Sequence, residues 1–107
     1  MDSAIIFDCE FLVSEGAQSR FWCGPFDPDP VVVQVGAAKL ARSGDFRITD
    51  RFEVLIHPKN RHAGEFDIDP LFTQLTGLTP EAIASDGVSL QQALQALAQF
   101  ANEATLW

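Results

Sequence analysis

The sequence predicts an α/β fold in which a three-stranded antiparallel meander comes first and helices follow. Three observations predict it. Three apolar or alternating runs of strand length occupy the first half, with no helical period between them. A Ser43-Gly44-Asp45 turn signal joins the second run to the third, and three helix starts with recognisable capping residues crowd the second half. A doubly wound fold would instead place a helix between the first two strands. With 107 residues, 47% of them hydrophobic, residues 1–107 have the size of a single small domain. Such a chain buries roughly two-thirds of its unfolded surface, which is enough for a core but leaves marginal stability.

The elements read in order as follows. Residues 4–12 open with β-branched and aromatic side chains and contain no Gly or Pro, the signature of a first strand. Residues 14–30 hold three prolines and two glycines without a helical period, and so predict an irregular connection. Residues 31–40 are apolar on both faces except at Gln34 and Gly36, as a strand inside a sheet requires. After the turn, Phe46, Ile48, Phe52, Val54 and Ile56 alternate with Arg47, Thr49, Arg51 and Glu53, predicting a half-buried strand with one wet face. The polar stretch 57–67 predicts a loop, with His57 and His62 as surface histidines. Asp69-Pro70 and Thr79-Pro80 each offer a capping oxygen followed by proline at the first helical position, and Gly77 ends the first of these helices. Ser89 with Gln92 forms a capping box, followed by an apolar stripe of Leu90, Ala93, Leu94, Leu97, Phe100 and Ala101. Residues 104–107 resemble the opening of a further strand.

Composition narrows the function classes. Fifteen acidic residues against seven basic ones give a formal charge of −8, which disfavours a continuous basic groove along a long polyanion. Carboxylate-held cations reverse that field locally, so a confined phosphodiester site remains open to this chain. Cys9 and Cys23 are too few for a disulfide framework and have no zinc spacing. No apolar run approaches the roughly 20 residues needed to cross a bilayer, and the first residues lack the basic region of a secretion signal, so a cytoplasmic protein without a membrane partner is expected.

The chemistry concentrates on the first strand. Alternation places Asp8 and Glu10 on one face, with backbones about 6.5 Å apart, close enough for both carboxylates to reach one hard cation or a pair of them. Two anions ending so apolar a strand need a cation, a basic partner or open water. The bland alternative is a strand that emerges into solvent at Asp8. Acids at the carboxyl end of a central strand, however, stand where open α/β sheets place their sites.

Ile5-Ile6-Phe7-Asp8-Cys9-Glu10-Phe11 resembles the first motif of the DEDD (DnaQ-like) 3′→5′ exonucleases, which have a ribonuclease H-like fold. The run from Val33 to Leu40 is similar to that family's second strand, and Leu75-Thr76-Gly77-Leu78-Thr79-Pro80-Glu81 to its helix-loop-helix after the third strand. The resemblance implies that Asp8 and Glu10 are catalytic and bind two Mg²⁺ or Mn²⁺ ions, which activate a water and stabilise the leaving 3′ oxygen. It further implies that Phe11, Leu12 and Leu78 contact the terminal nucleotide of a single-stranded DNA or RNA 3′ end. By the same resemblance, a third carboxylate, then a histidine or tyrosine with a fourth aspartate, come after Trp107, so that 1–107 form the N-terminal part of an exonuclease domain, inactive alone.

Other readings compete. A non-catalytic interaction module would keep the scaffold without the chemistry, and the uncovered apolar surface and sheet edge would favour homo-oligomers. A divalent-metal phosphatase ranks lower, since its second acidic place holds aspartate and a helix follows, whereas Glu10 and a hairpin stand here. Lys59, Arg61 and His62 could meet a phosphate, although a short charged loop is ordinarily just solvated.

Overall fold

β-branched and aromatic residues favour a pleated, half-buried surface, and the first run accordingly forms strand β1 (Ser3–Phe11). The computed structural model describes residues 2–59, 64, 67–102, 104 and 106–107. Strand β2 (Val32–Ala41) pairs antiparallel with β1, and β3 (Ile48–Leu55) antiparallel with β2, giving the order β1-β2-β3. Leu106 bridges Ala4 in parallel, and the Ile5 N–H donates to the Leu106 carbonyl at 2.9 Å. Leu106 thus flanks β1 on the side away from β2, through one bridge and not a strand among the described residues.

Two irregularities reset the strand alternation. Glu10 pairs with Gln34 but Phe11 with Val32, which leaves Val33 as an extra residue in β2. Beyond this bulge Leu12 no longer follows the face of the acids. Its side chain is 1% exposed and packs with Val13, Ala17, Val33, Phe72 and Ile83. The second shift, between Lys39 and Leu40, makes Thr49 the extra residue of β3. Phe46 is a correction to the alternation expected of this strand: it sits in the turn at φ 55 and is exposed, because the chain must reverse between Ala41 and Arg47 before pairing begins.

Three helices follow. In α1 (Pro70–Thr76) Asp69 accepts the Leu71 N–H at 2.8 Å, and Gly77 closes the helix at φ 77. In α2 (Pro80–Asp86) Thr79 accepts the Ala82 N–H at 3.1 Å. α3 (Leu90–Ala101) has the complete box, with Ser89 Oγ accepting from the Gln92 N–H and Gln92 Oε1 accepting from the Ser89 N–H, each at 3.1 Å. Each cap contributes about 1 kcal/mol by satisfying otherwise orphaned donors.

The helices share one side of the sheet. α3 packs Ala93 and Leu97 on Val35 and Ile56, with Cys9, Ala37, Phe52 and Val54 around them. Leu90 and Leu94 remain exposed, so the predicted stripe is used at Ala93, Leu97, Phe100 and Ala101 only. α1 and α2 supply Phe72 and Ile83 to the second cluster, against Val33 and the 14–30 connection. Among the described residues no helix covers the opposite face, where Ile6 is 58% exposed.

His57 departs from the expected surface position. Val88 runs parallel to Ile56, its N–H donating to Leu55 and its carbonyl accepting from His57, at 2.9 and 2.8 Å. That pairing draws the half-buried His57 ring against Gly87, where an added Cβ would lie 3.1 Å from the ring. Arg61 and His62 lie outside the described residues.

Candidate metal and nucleic-acid site

Asp8 and Glu10 lie two residues apart on one face of β1, Asp8 exposed and Glu10 half-buried. One Asp8 oxygen accepts the Cys9 N–H at 2.8 Å, and among the described residues no cation pairs with either acid. Directly across from Asp8 in β2 stands Gly36, at a position where an added Cβ would meet nothing within 4 Å. Glycine weakens a strand interior and frequently marks the close approach of another group. Here it leaves open ground beside the carboxylate. Next along the face, Glu10 is paired with Gln34, whose amide donates to Glu53.

The field around the pair is negative. Burial first, and then the charges of Asp8 and Glu10, push the Cys9 thiol above its ordinary pKa. An all-oxygen donor set of one or two carboxylates with open room beside it fits a hard divalent ion that keeps much of its water. Among the described residues no group of three or more His, Cys, Asp or Glu side chains is arranged to hold a metal. The pair would share any ion with waters, a phosphate or further ligands.

Glu10 also borders a cleft of about 190 Å³ lined by Phe11, Gln18, Trp22, Leu75 and Thr76. The structure sorts the three residues expected to touch a nucleotide. Phe11 is exposed in this cleft. Leu12 is a correction, since its side chain is in the core and its N–H and carbonyl are taken by the Val31 carbonyl and Trp22 Nε1 at 3.0 and 2.8 Å. Leu78 packs on the same core, while Leu75, in the last turn of α1 and 63% exposed, stands at the cleft instead. Sequence reading missed Leu75, because the left-handed Gly77 ends α1 before Leu78 and the two leucines do not share a helical face. It also missed Gln18 and Trp22, which reach the cleft only through the folding of the 14–30 connection.

That connection is ordered by its own contacts. Residues 14–20 wind into a helix-like turn closed by Phe21 N–H to the Gln18 carbonyl at 3.1 Å and Trp22 N–H to the Ala17 carbonyl at 2.9 Å. This bonding is a Schellman-type end, whose left-handed position usually belongs to glycine. Here Phe21 occupies it at φ 54, and Trp22, the next residue, also has a positive φ of 56. Left-handed backbone costs about 1–2 kcal/mol for a residue with a side chain. A clip holds it in place: Arg20 pairs with Asp27 at 2.6 Å and donates to the Glu15 carbonyl at 2.7 Å, and the Gly24 N–H donates to Asp27 at 2.7 Å. The Asp27 side chain is 2% exposed. The hydrogen bonds from Arg20, with help from Gly24, hold its carboxyl below the ordinary range.

The fold is similar to that of two solved 3′-exonuclease structures. One solved structure it superposes on is a full-length 3′-exonuclease, with a TM-score of 0.68 and 18% identity over 92% of this chain and 28% of the other. A second is a 3′-exonuclease in a structure of 3′-end-specific recognition of a histone mRNA stem-loop, with a TM-score of 0.64 and 17% identity over 92% of this chain and 38% of the other. The chain thus spans well under half the length of either protein. At these identities the likeness establishes the fold, a three-stranded antiparallel sheet followed by three helices. No protein-family model and no curated protein sequence matches the chain.

Proposed function

We propose that the chain carries half of the active site of a metal-dependent 3′→5′ exonuclease, which hydrolyses terminal phosphodiesters of single-stranded DNA or RNA. The observation that carries this reading is the placement of Asp8 and Glu10, on one face of β1 with open space at Gly36. The 3′-exonuclease scaffold supports it, as does the recognition of an RNA 3′ end by one of the similar proteins. Asp8 and Glu10 would hold Mg²⁺ or Mn²⁺, which supplies charge stabilisation for attack by water and departure of the 3′ oxygen. Glu10, bordering the cleft, would also orient the water, and Phe11 and Leu75 would face the terminal nucleotide. Further carboxylates from the remainder of such a domain would complete the site.

With two carboxylates alone, the 107-residue chain is expected to bind Mg²⁺ weakly and to turn over little or no substrate. Calorimetric titration with Mn²⁺ tests the pair: the weak heat should disappear in the Asp8→Asn, Glu10→Gln double variant. Binding that survives the double substitution, or tight Mg²⁺ binding by the 107 residues, contradicts the reading. In a form of the protein that carries the remaining ligands, the same variant should lose release of nucleotides from a 3′-labelled oligonucleotide by at least about a hundredfold.

A non-catalytic interaction module is the second reading. The exposure of Ile6 beside the acids, and of Phe7 on the other side of the strand, favours it. Such a module would keep its partner binding in the double variant.

A further inference from the structure

Phe21 is placed against the preference of its own backbone. The helix-like turn at residues 14–20 ends in a hydrogen-bond pattern that glycine serves without strain, yet the position holds an aromatic residue at φ 54 whose side chain is 80% exposed. Neither burial nor backbone geometry accounts for a phenylalanine there. Strain of this kind persists only where the surroundings over-determine it, and it concentrates at binding and switch segments. The surroundings here do so: Arg20, Asp27 and Gly24 clip the far side of the turn, and Trp22 is tied to Leu12 through its indole N–H. The next residue along, Trp22, lines the cleft that Glu10 borders.

We infer that Phe21 is a stacking platform for an unpaired base of a single-stranded nucleic acid whose 3′ end lies at the acid pair. The inference rests on the exonuclease reading above. A flat ring presented to solvent from a fixed backbone stacks on any base without regard to sequence, and with two side-chain torsions it loses little freedom in doing so. It also suits a chain of charge −8, for which a basic groove along the phosphates is not available.

Substitution of Phe21 separates a structural role from a binding role, because glycine relieves the backbone strain while removing the ring. Phe21→Gly should raise the melting temperature and weaken binding of a ten-residue single-stranded oligonucleotide about 5- to 150-fold, measured by anisotropy in Mg²⁺ at moderate salt, where like-charge repulsion is screened. Phe21→Trp should restore it, and a strand made abasic at each position in turn should show one position whose loss weakens the native chain but not Phe21→Gly. Unchanged affinity in Phe21→Gly, equal affinity of the native chain for base-containing and fully abasic strands, or no oligonucleotide binding by the native chain overturns the inference. Because the abasic-strand comparison reads a stacked base and the metal titration reads the carboxylates, a failure here is distinguishable from a failure of the reading of Asp8 and Glu10.

Discussion

At the scale of single residues, the Arg20–Asp27 clip shows how a surface connection becomes a fixed part of a site. Asp27 accepts from Arg20, Gly24 and Ser14 while its side chain is almost fully buried, so its charge is useful only while it is ionised. Its carboxyl in the folded chain titrates below the ordinary value of 3.8. Its contribution to stability is therefore fully present above that value and lost as pH falls through the lower, folded one. Asp27→Asn is expected to lower the melting temperature at neutral pH, with the difference from the native chain shrinking below pH 3.8. A pH series of thermal unfolding curves checks this, and a difference that stays constant with pH would show that the charge contributes nothing.

At the scale of elements, the helices follow local chemistry closely. Asp69, Thr79 and Ser89 all cap where sequence reading places them, because capping needs only an oxygen at the right offset from the first free N–H groups. Ser89→Ala should cost about 1 kcal/mol, read from denaturant unfolding. Gly77→Ala should cost a comparable amount, about 1 kcal/mol, since Gly77 is left-handed at φ 77 with open space around it, so strain alone would be responsible. The strands are less legible. Bulges at Val33 and Thr49 shift which residues face which side, and a bulge is set by pairing partners rather than by its own sequence. Strict alternation along β1 puts Leu12 on the face of the acids, whereas the bulge turns it into the core. Alternation likewise extends β3 to Phe46, which belongs to the turn.

At the scale of the whole molecule, the sheet is covered on one side only among the described residues. Three helices and the 14–30 connection build two buried clusters on the side of Val35 and Cys9, whereas the side of Ile6, Asp8 and Glu10 faces outward. An apolar side chain as exposed as Ile6 in the middle of a strand invites pairing with another surface. At high concentration the 107-residue chain is expected to self-associate, and Ile6→Ser should shift a sizing profile toward monomer. A native chain that is monomeric throughout would show that this face is already compatible with water. No helix of the described residues is long and apolar enough to cross a membrane.

The amino-acid sequence by itself determined the order of strands and helices, the helix ends and the pairing of Asp8 with Glu10 on one face. Each of these depends on interactions between residues only a few positions apart: alternation along a strand, caps one turn away, glycine at a left-handed end. Only the tertiary structure decided what surrounds the acids. Gly36 comes opposite Asp8 through strand register, Leu75 and Trp22 reach the Glu10 cleft from elements far apart in sequence, and the Arg20–Asp27 clip fixes Phe21 in a conformation its own chemistry disfavours. These are non-local contacts, and their geometry depends on how the whole chain shares out its buried surface.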